Sequence, residues 1–347
     1  MKTRFLFLVC AAAAALTAFS SCGSSSGRAL LPNVSGKAGE VIIIMDKDNW
    51  EGDLGTAVRD LLGGDCPFLA QKEPLYNLVN ISPTGFAELF KVHRNIVIFN
   101  ISPDVQNEGM VYRSDVWSHP QCVIQLSAVD GSSAMEIFNE SSERILSTLE
   151  QAERDRIIAN SKKYEEFKCS KTVIPMIGGS PHFPSGYKVR KATEDFIWIS
   201  DDKQYSNQGI FVYKYPASEN NNFSLESIVS HRNAALKANV PGMFEGTYMI
   251  TSTYIEPTVE FIRFRGRQFA QTRGFWEVEG DFMGGPFISH SFYSQDASEI
   301  IVLDAWVYAP RYDKRQFLRQ VEAIIYSFEW DKPKTQTTQT EKTDEDQ

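Results

Sequence analysis

EIIVLDAWVYAPRYDKRQFLRQVEAIIYSF, residues 299–328, joins the chain's plainest strand to its plainest helix. Glu299–Tyr308 is a β-branched and aromatic run, long enough to cross a sheet. Asp313 with Gln316 three residues on has the spacing of a capping box, and Tyr312 with Phe317 that of a hydrophobic staple. Phe317, Leu318, Val321, Ile324, Ile325 and Phe328 then fall on one helical face. A strand feeding an amphipathic helix predicts a helix laid on a sheet.

Reading outward, Thr247–Tyr308 is all strand and turn, with segments at Thr247–Ile255, Thr258–Phe264, Gln268–Val278, Pro286–Ser294 and Glu299–Tyr308. Phe196–Ser200 and Gly209–Tyr215 predict a hairpin. Ser224 predicts the cap of a helix that ends near Asn239, before Pro241-Gly242. The first half repeats the style. Glu40–Met45 is a continuous apolar run, as in a strand buried on both faces. Leu54, Ala57, Val58, Leu61 and Leu62 are helical in spacing, and Gly63-Gly64 stops them. Strands follow at Tyr76–Ile81, Asn95–Ile101, Met110–Trp117 and Gln121–Ala128, then a long helix opened by Ser133 and Glu136 and running to about Phe167. Residues 170–186 hold Pro175, Gly178-Gly179, Pro181, Pro184 and Gly186, the composition of a linker. The expectation is therefore an α+β protein of two halves, 39–169 and 187–330, each an antiparallel sheet with helices packed on one face.

The two ends carry a different signal. Lys2 and Arg4 precede an apolar run from Phe5 to Phe19, too short to span a bilayer comfortably. Small residues then lead to Cys22. That is a secretory signal over residues 1–21, and the cysteine at its junction makes it a lipoprotein signal in which Cys22 is lipidated. Gly23-Ser24-Ser25-Ser26-Gly27 begins a flexible tether over 22–38. Residues 331–347 are almost wholly polar after Lys332-Pro333 and predict a disordered tail.

The mature core is similar to a set of Bacteroidota envelope lipoproteins catalogued only as a domain of unknown function. Ser21-Cys22, Phe196-Ile-Trp-Ile199, Trp306-Val-Tyr-Ala-Pro310, Lys314-Arg315 and Leu318-Arg319-Gln320 carry that resemblance. It implies an envelope compartment and a shared fold, and supplies no catalytic residue or ligand. In that group an acidic run after the lipidated cysteine resembles a surface-export signal. None follows Cys22, so the expected position is the outer membrane, facing the periplasm.

Composition narrows the partners. The formal charge is −9, and losing Lys2 and Arg4 leaves 33 basic against 44 acidic residues, or −11. Nonspecific nucleic-acid binding is not expected of such a chain. The core cysteines, Cys66, Cys122 and Cys169, allow at most one disulfide, and buried free thiols are the expectation. His93, His119, His182, His231 and His290 are dispersed without metal-ligand spacing, so no metal and no cofactor is predicted.

Two constellations remain. Asp46-Lys47-Asp48 ends the first strand, as in haloacid-dehalogenase-type phosphatases, and would serve a metal-dependent hydrolase. The bland reading is a strand-to-helix turn. Arg263, Arg265, Arg267 and Arg273 gather in one hairpin, upstream of Glu277, Glu279 and Asp281, which predict cross-strand pairing. Arg263, Arg265, Arg273 and Trp276 would be the wall of a ligand groove between the halves. The leading expectation is a noncatalytic accessory or scaffold lipoprotein, held to the membrane through Cys22 and bound to an envelope protein. A ligand-binding lipoprotein and a hydrolase using Asp46 and Asp48 are the alternatives.

Overall fold

The protein is seen in a computed structural model that describes residues 30–331, apart from 219 and 221. The signal segment, Cys22, the first part of the tether and nearly all of the polar tail lie outside the described residues. Both helices and strands are abundant, and the α+β class follows.

The first half runs β1 (Glu40–Ile44), α1 (Lys47–Glu51), α2 (Asp53–Gly63), β2 (Asn77–Ile81), α3 (Glu88–Lys91), β3 (Asn95–Ile101), β4 (Gly109–Ser114), β5 (Cys122–Ala128) and α4 (Gly131–Lys163). Its sheet has the order β2-β1-β3-β5-β4. The antiparallel expectation is corrected here: β1 runs parallel to β2 and β3, β3 runs parallel to β5, and only the edge strand β4 is antiparallel. Physically, β1 carries apolar side chains on both faces, as central parallel strands do. Val41, Ile43 and Met45 pack under α2 and α4 with Leu54, Val58, Phe138, Ile145 and Leu149. Ile42 and Ile44 meet Phe86, Phe90 and Trp117 on the other side. α4 is capped by Asp130, whose carboxylate accepts from the N–H of Ser133 at 2.9 Å, three residues before the expected cap.

The second half runs α5 (Phe167–Ile177), β6 (Gly179–Ser180), β7 (Lys188–Ala192), β8 (Phe196–Lys203), β9 (Ser206–Pro216), α6 (Leu225–Asn239), β10 (Met249–Thr251), β11 (Thr258–Phe264), β12 (Arg267–Val278), β13 (Gly284–Tyr293), β14 (Glu299–Tyr308), α7 (Arg315–Tyr326) and β15 (Glu329–Trp330). The stretch expected to be a linker thus begins as the helix α5. Pro175 is tolerated in its last turns, and Gly178 ends it at φ +72. The main sheet is antiparallel throughout, ordered β10-β12-β13-β14-β9-β8-β7, with β11 also lying on β12. Its edge strand β7 has a register shift between Val189 and Lys191.

Alternation on β14 divides two cores. Ile301, Leu303, Ala305 and Val307 pack with α5 and α7 residues such as Val173, Leu318, Val321 and Ile325. Ile300, Val302 and Trp306 share the opposite core with Trp276, Phe211 and Leu236 of α6. This sheet is therefore covered by helices on both faces, not on one. The reason lies in β14 and β9, which are apolar on both sides and cannot leave a face to water.

Candidate functional site

The two halves meet along α4 and α7, and their junction is built from charges. Arg319 on α7 donates to Glu150 of α4 at 2.6 Å and to the carbonyl of Leu75 at 2.9 Å. Its guanidinium lies 4.4 Å from the ring centre of Tyr76, whose hydroxyl donates to the same Glu150 oxygen at 2.7 Å. One turn on, Glu322 accepts from Arg273 of β12 at 2.7 Å and from Arg154 of α4 at 3.2 Å. Arg154 also stacks 3.9 Å from the ring centre of Tyr326. Glu73, from the loop before β2, is buried and accepts from the N–H groups of Lys314 and Arg315 at 2.7 and 2.8 Å. It caps α7 from the other half of the molecule, in place of the expected Asp313, which is exposed.

These contacts set the charge states. Burial alone would raise the Glu322 carboxyl, but Arg273 and Arg154 outweigh it and hold it below its ordinary value. Against the same burial, Glu150 raises Arg319 and Glu322 raises Arg273. Burial pushes Arg315 down, and Arg319 beside it adds to the effect. The Cys66 thiol is raised to about 11, chiefly by burial. Cys66, Cys122 and Cys169 are all unpaired thiols.

Cavities flank the junction. One, of about 250 Å³, is lined by Cys66, Leu75, Leu146, Glu150, Arg154, Arg273, Arg315, Leu318, Arg319 and Glu322. Another, of about 380 Å³, uses the opposite face of α7 through Gln320 and Ile324, with Arg94, Arg156, Tyr187 and Gln208.

The residues singled out in the sequence are scattered by comparison. Of the groove wall, Arg273 reaches the cluster around Glu322, and Arg265 reaches α4 farther along at Asp155. Trp276 is 1% exposed in the second-sheet core, where its indole N–H donates to the carbonyl of Val307 at 3.2 Å; it lines no groove. Arg263 is exposed on β11. Arg265 and Gly266, at φ +47 and +80, form the tight turn between β11 and β12. Arg265 therefore sits in the turn, off the strand that carries Arg263, and pairs with Asp155 of α4 at 2.9 Å. The expected cross-strand partners are not used: Arg273 goes to Glu322, and Glu277 accepts from Ser252 at 2.8 Å.

Asp46 is the cap of α1. Its two oxygens accept from the backbone and side-chain nitrogens of Asn49 at 3.0 and 2.7 Å. Slight burial acts to raise its carboxyl, but those hydrogen bonds hold it below its ordinary value. Asp48 is exposed in the first turn. Among the described residues, no group of three or more His, Cys, Asp and Glu is arranged to hold a metal ion.

Sequence reasoning missed Glu73, Glu150, Arg154, Arg315, Arg319 and Glu322. A signal was present for most of them. Leu146, Glu150 and Arg154 recur every fourth residue, and Arg315, Arg319 and Glu322 fall at i, i+4 and i+7. Each set is one helical stripe.

Fold and junction together define a two-half α+β protein whose halves are joined by part-buried ion pairs. The same division appears in two family models that match parts of the chain. Residues 34–162 match the domain of unknown function DUF8532, and residues 167–327 match the domain of unknown function DUF4837. The boundary between the two matched regions falls between α4 and α5. No curated protein matches it.

Proposed function

We propose that this chain is a lipid-anchored envelope protein that acts without catalysis, as an accessory or scaffold subunit at the periplasmic face of the outer membrane. The observation that carries this reading is the junction. Glu150 is engaged by Arg319 and Glu322 by Arg154, each across the halves, and Glu73 by a helix terminus of the other half. Such a body offers a partner one fixed surface, whereas a hinged binding protein needs its halves to move.

The anchor fits this arrangement. The chain is pinned to the first half from Pro32 onward, where the N–H of His119 donates to the Pro32 carbonyl at 2.8 Å and that of Ser35 to the Val92 carbonyl at 2.8 Å. From Cys22 to Pro32 the tether reaches at most about 35 Å when extended. A lipidated Cys22 would hold the body close to the bilayer, its acyl chains supplying the membrane affinity.

Two measurements test the reading. Cys22→Ser should move the protein from the membrane fraction to the soluble fraction and abolish labelling by a radioactive fatty acid. Retention in the membrane would remove the anchor. Affinity purification from cross-linked, gently solubilised envelopes should recover one protein partner in near-equal amount, and recovery of this protein alone would overturn the subunit role.

A further inference from the structure

We propose that the cavity on the Leu146 side of the junction is a binding site for a small organic anion, with a carboxylate or phosphate head on a short apolar body. This does not depend on how Cys22 is processed. The cavity holds about 250 Å³, just under the usual range for small-molecule sites, and that sets the scale of the ligand. Four guanidinium groups, from Arg154, Arg273, Arg315 and Arg319, line it against only the carboxylates of Glu150 and Glu322. Glu73, the next carboxylate, is spent on backbone N–H groups.

The junction alone accounts for part of this. Arg319 answers Glu150, while Arg273 and Arg154 share one oxygen of Glu322. Among the described residues, no carboxylate lies within ion-pair distance of Arg315; its guanidinium donates to the carbonyl of Pro74. One nitrogen each of Arg154, Arg315 and Arg319 is buried without an acceptor among the described residues. Excess buried positive charge is costly unless an anion compensates it. An anion would also reverse the effect of Arg319, which together with burial lowers Arg315. Guanidinium forks match the planar oxygens of a carboxylate or phosphate. Leu75, Leu146 and Leu318 supply the apolar remainder of the wall.

Cys66 makes the site readable, because it lines this cavity and is half-buried while Cys122 and Cys169 are buried. The experiment follows maleimide labelling of Cys66 by mass spectrometry in the mature chain carrying Cys22→Ser. The probes are hexanoate and hexyl phosphate, with hexanol and inorganic phosphate as controls. At ten times its dissociation constant, a probe that fills the site should slow labelling about tenfold by occupancy. Protection by hexanoate, hexyl phosphate or both is expected, and their order assigns the head group. Leu146→Trp, which fills the cavity without touching an ion pair, should abolish protection. If that variant does not fold, Arg315→Gln should weaken protection by the anionic probes. Equal protection by hexanol would reduce the site to an apolar hole, and equal protection by inorganic phosphate would remove the apolar half. Absence of protection by every probe would overturn the proposal.

Discussion

Removing the Glu73 carboxylate should loosen α7 and uncouple the two halves. Its two oxygens accept from the N–H groups of Lys314 and Arg315 at 2.7 and 2.8 Å, where both residues are buried. A hydrogen bond to a charged group contributes about 1.5–3 kcal/mol, and water cannot fully replace it at a buried helix start. Glu73→Ala should therefore cost about 3–5 kcal/mol. For about 300 ordered residues the unfolding entropy is roughly 0.6 kcal/mol per degree, so the melting midpoint should fall by about 5–8 °C. Glu73→Gln keeps one acceptor and should lose about half as much. Asp313→Asn, at the position where the capping box was expected, should change stability by no more than about 0.5 kcal/mol. Differential scanning calorimetry on the three variants decides the matter, and Glu73→Ala should also split the transition into two. An Asp313→Asn loss larger than that of Glu73→Ala would refute the capping argument, as would an unmoved midpoint in Glu73→Ala.

Three further outcomes are expected. His290 is fully buried, and burial, followed by the charges of Arg267, Arg273 and Arg154, places its pKa well below the ordinary value. The unfolded chain then binds the extra proton, so stability should fall as pH drops below about 6.5, by up to about 1.4 kcal/mol per pH unit; urea titrations of His290→Phe should show a shallower slope, and an equal slope speaks against the assignment. Arg232 and Asp304, both 0% exposed, meet at 2.8 Å, so Asp304→Asn should cost about 3–5 kcal/mol while the double change Arg232→Met with Asp304→Leu recovers most of it. A double variant as unstable as the single one would contradict that. Asp46→Ala should cost about 1 kcal/mol in thermal melts, as loss of a helix cap, and a result within error of zero would dismiss the cap.

The second half was legible because its signals are local. Alternation across 247–308 and the stripe from Phe317 to Phe328 identify strand and helix without reference to anything distant. Strand direction in the first sheet was not legible. Its crossover from β2 to β3 passes through a 3-10 turn at Pro83–Gly85 and the four-residue α3, with no long helix to announce a parallel return. The apolar faces of β1 did carry the hint, since a strand buried on both sides suits a parallel sheet. The junction was hidden for another reason. Glu150, Arg154, Arg319 and Glu322 lie on helices where charge ordinarily marks the solvent face. Each is wholly or partly covered by a helix from the other half, and nothing local in the sequence announces that partner. Arg265 and Trp276 misled in the opposite sense, since proximity in a hairpin says nothing of where a turn or an indole points.

The rims of the second sheet bear on the behaviour of this chain at high concentration. A long, flat, unpaired strand edge invites another chain to extend it, which is the first step of aggregation. One rim here is β7, where Lys188, Arg190 and Lys191 crowd charge along a strand broken by a shift in register. The other is shared by β10 and β11, two separate strands that leave β12 no continuous free edge. An incoming strand would meet a bulge and like charge on one side and an interruption on the other. The large sheet can therefore keep both of its faces apolar without becoming a template for fibres.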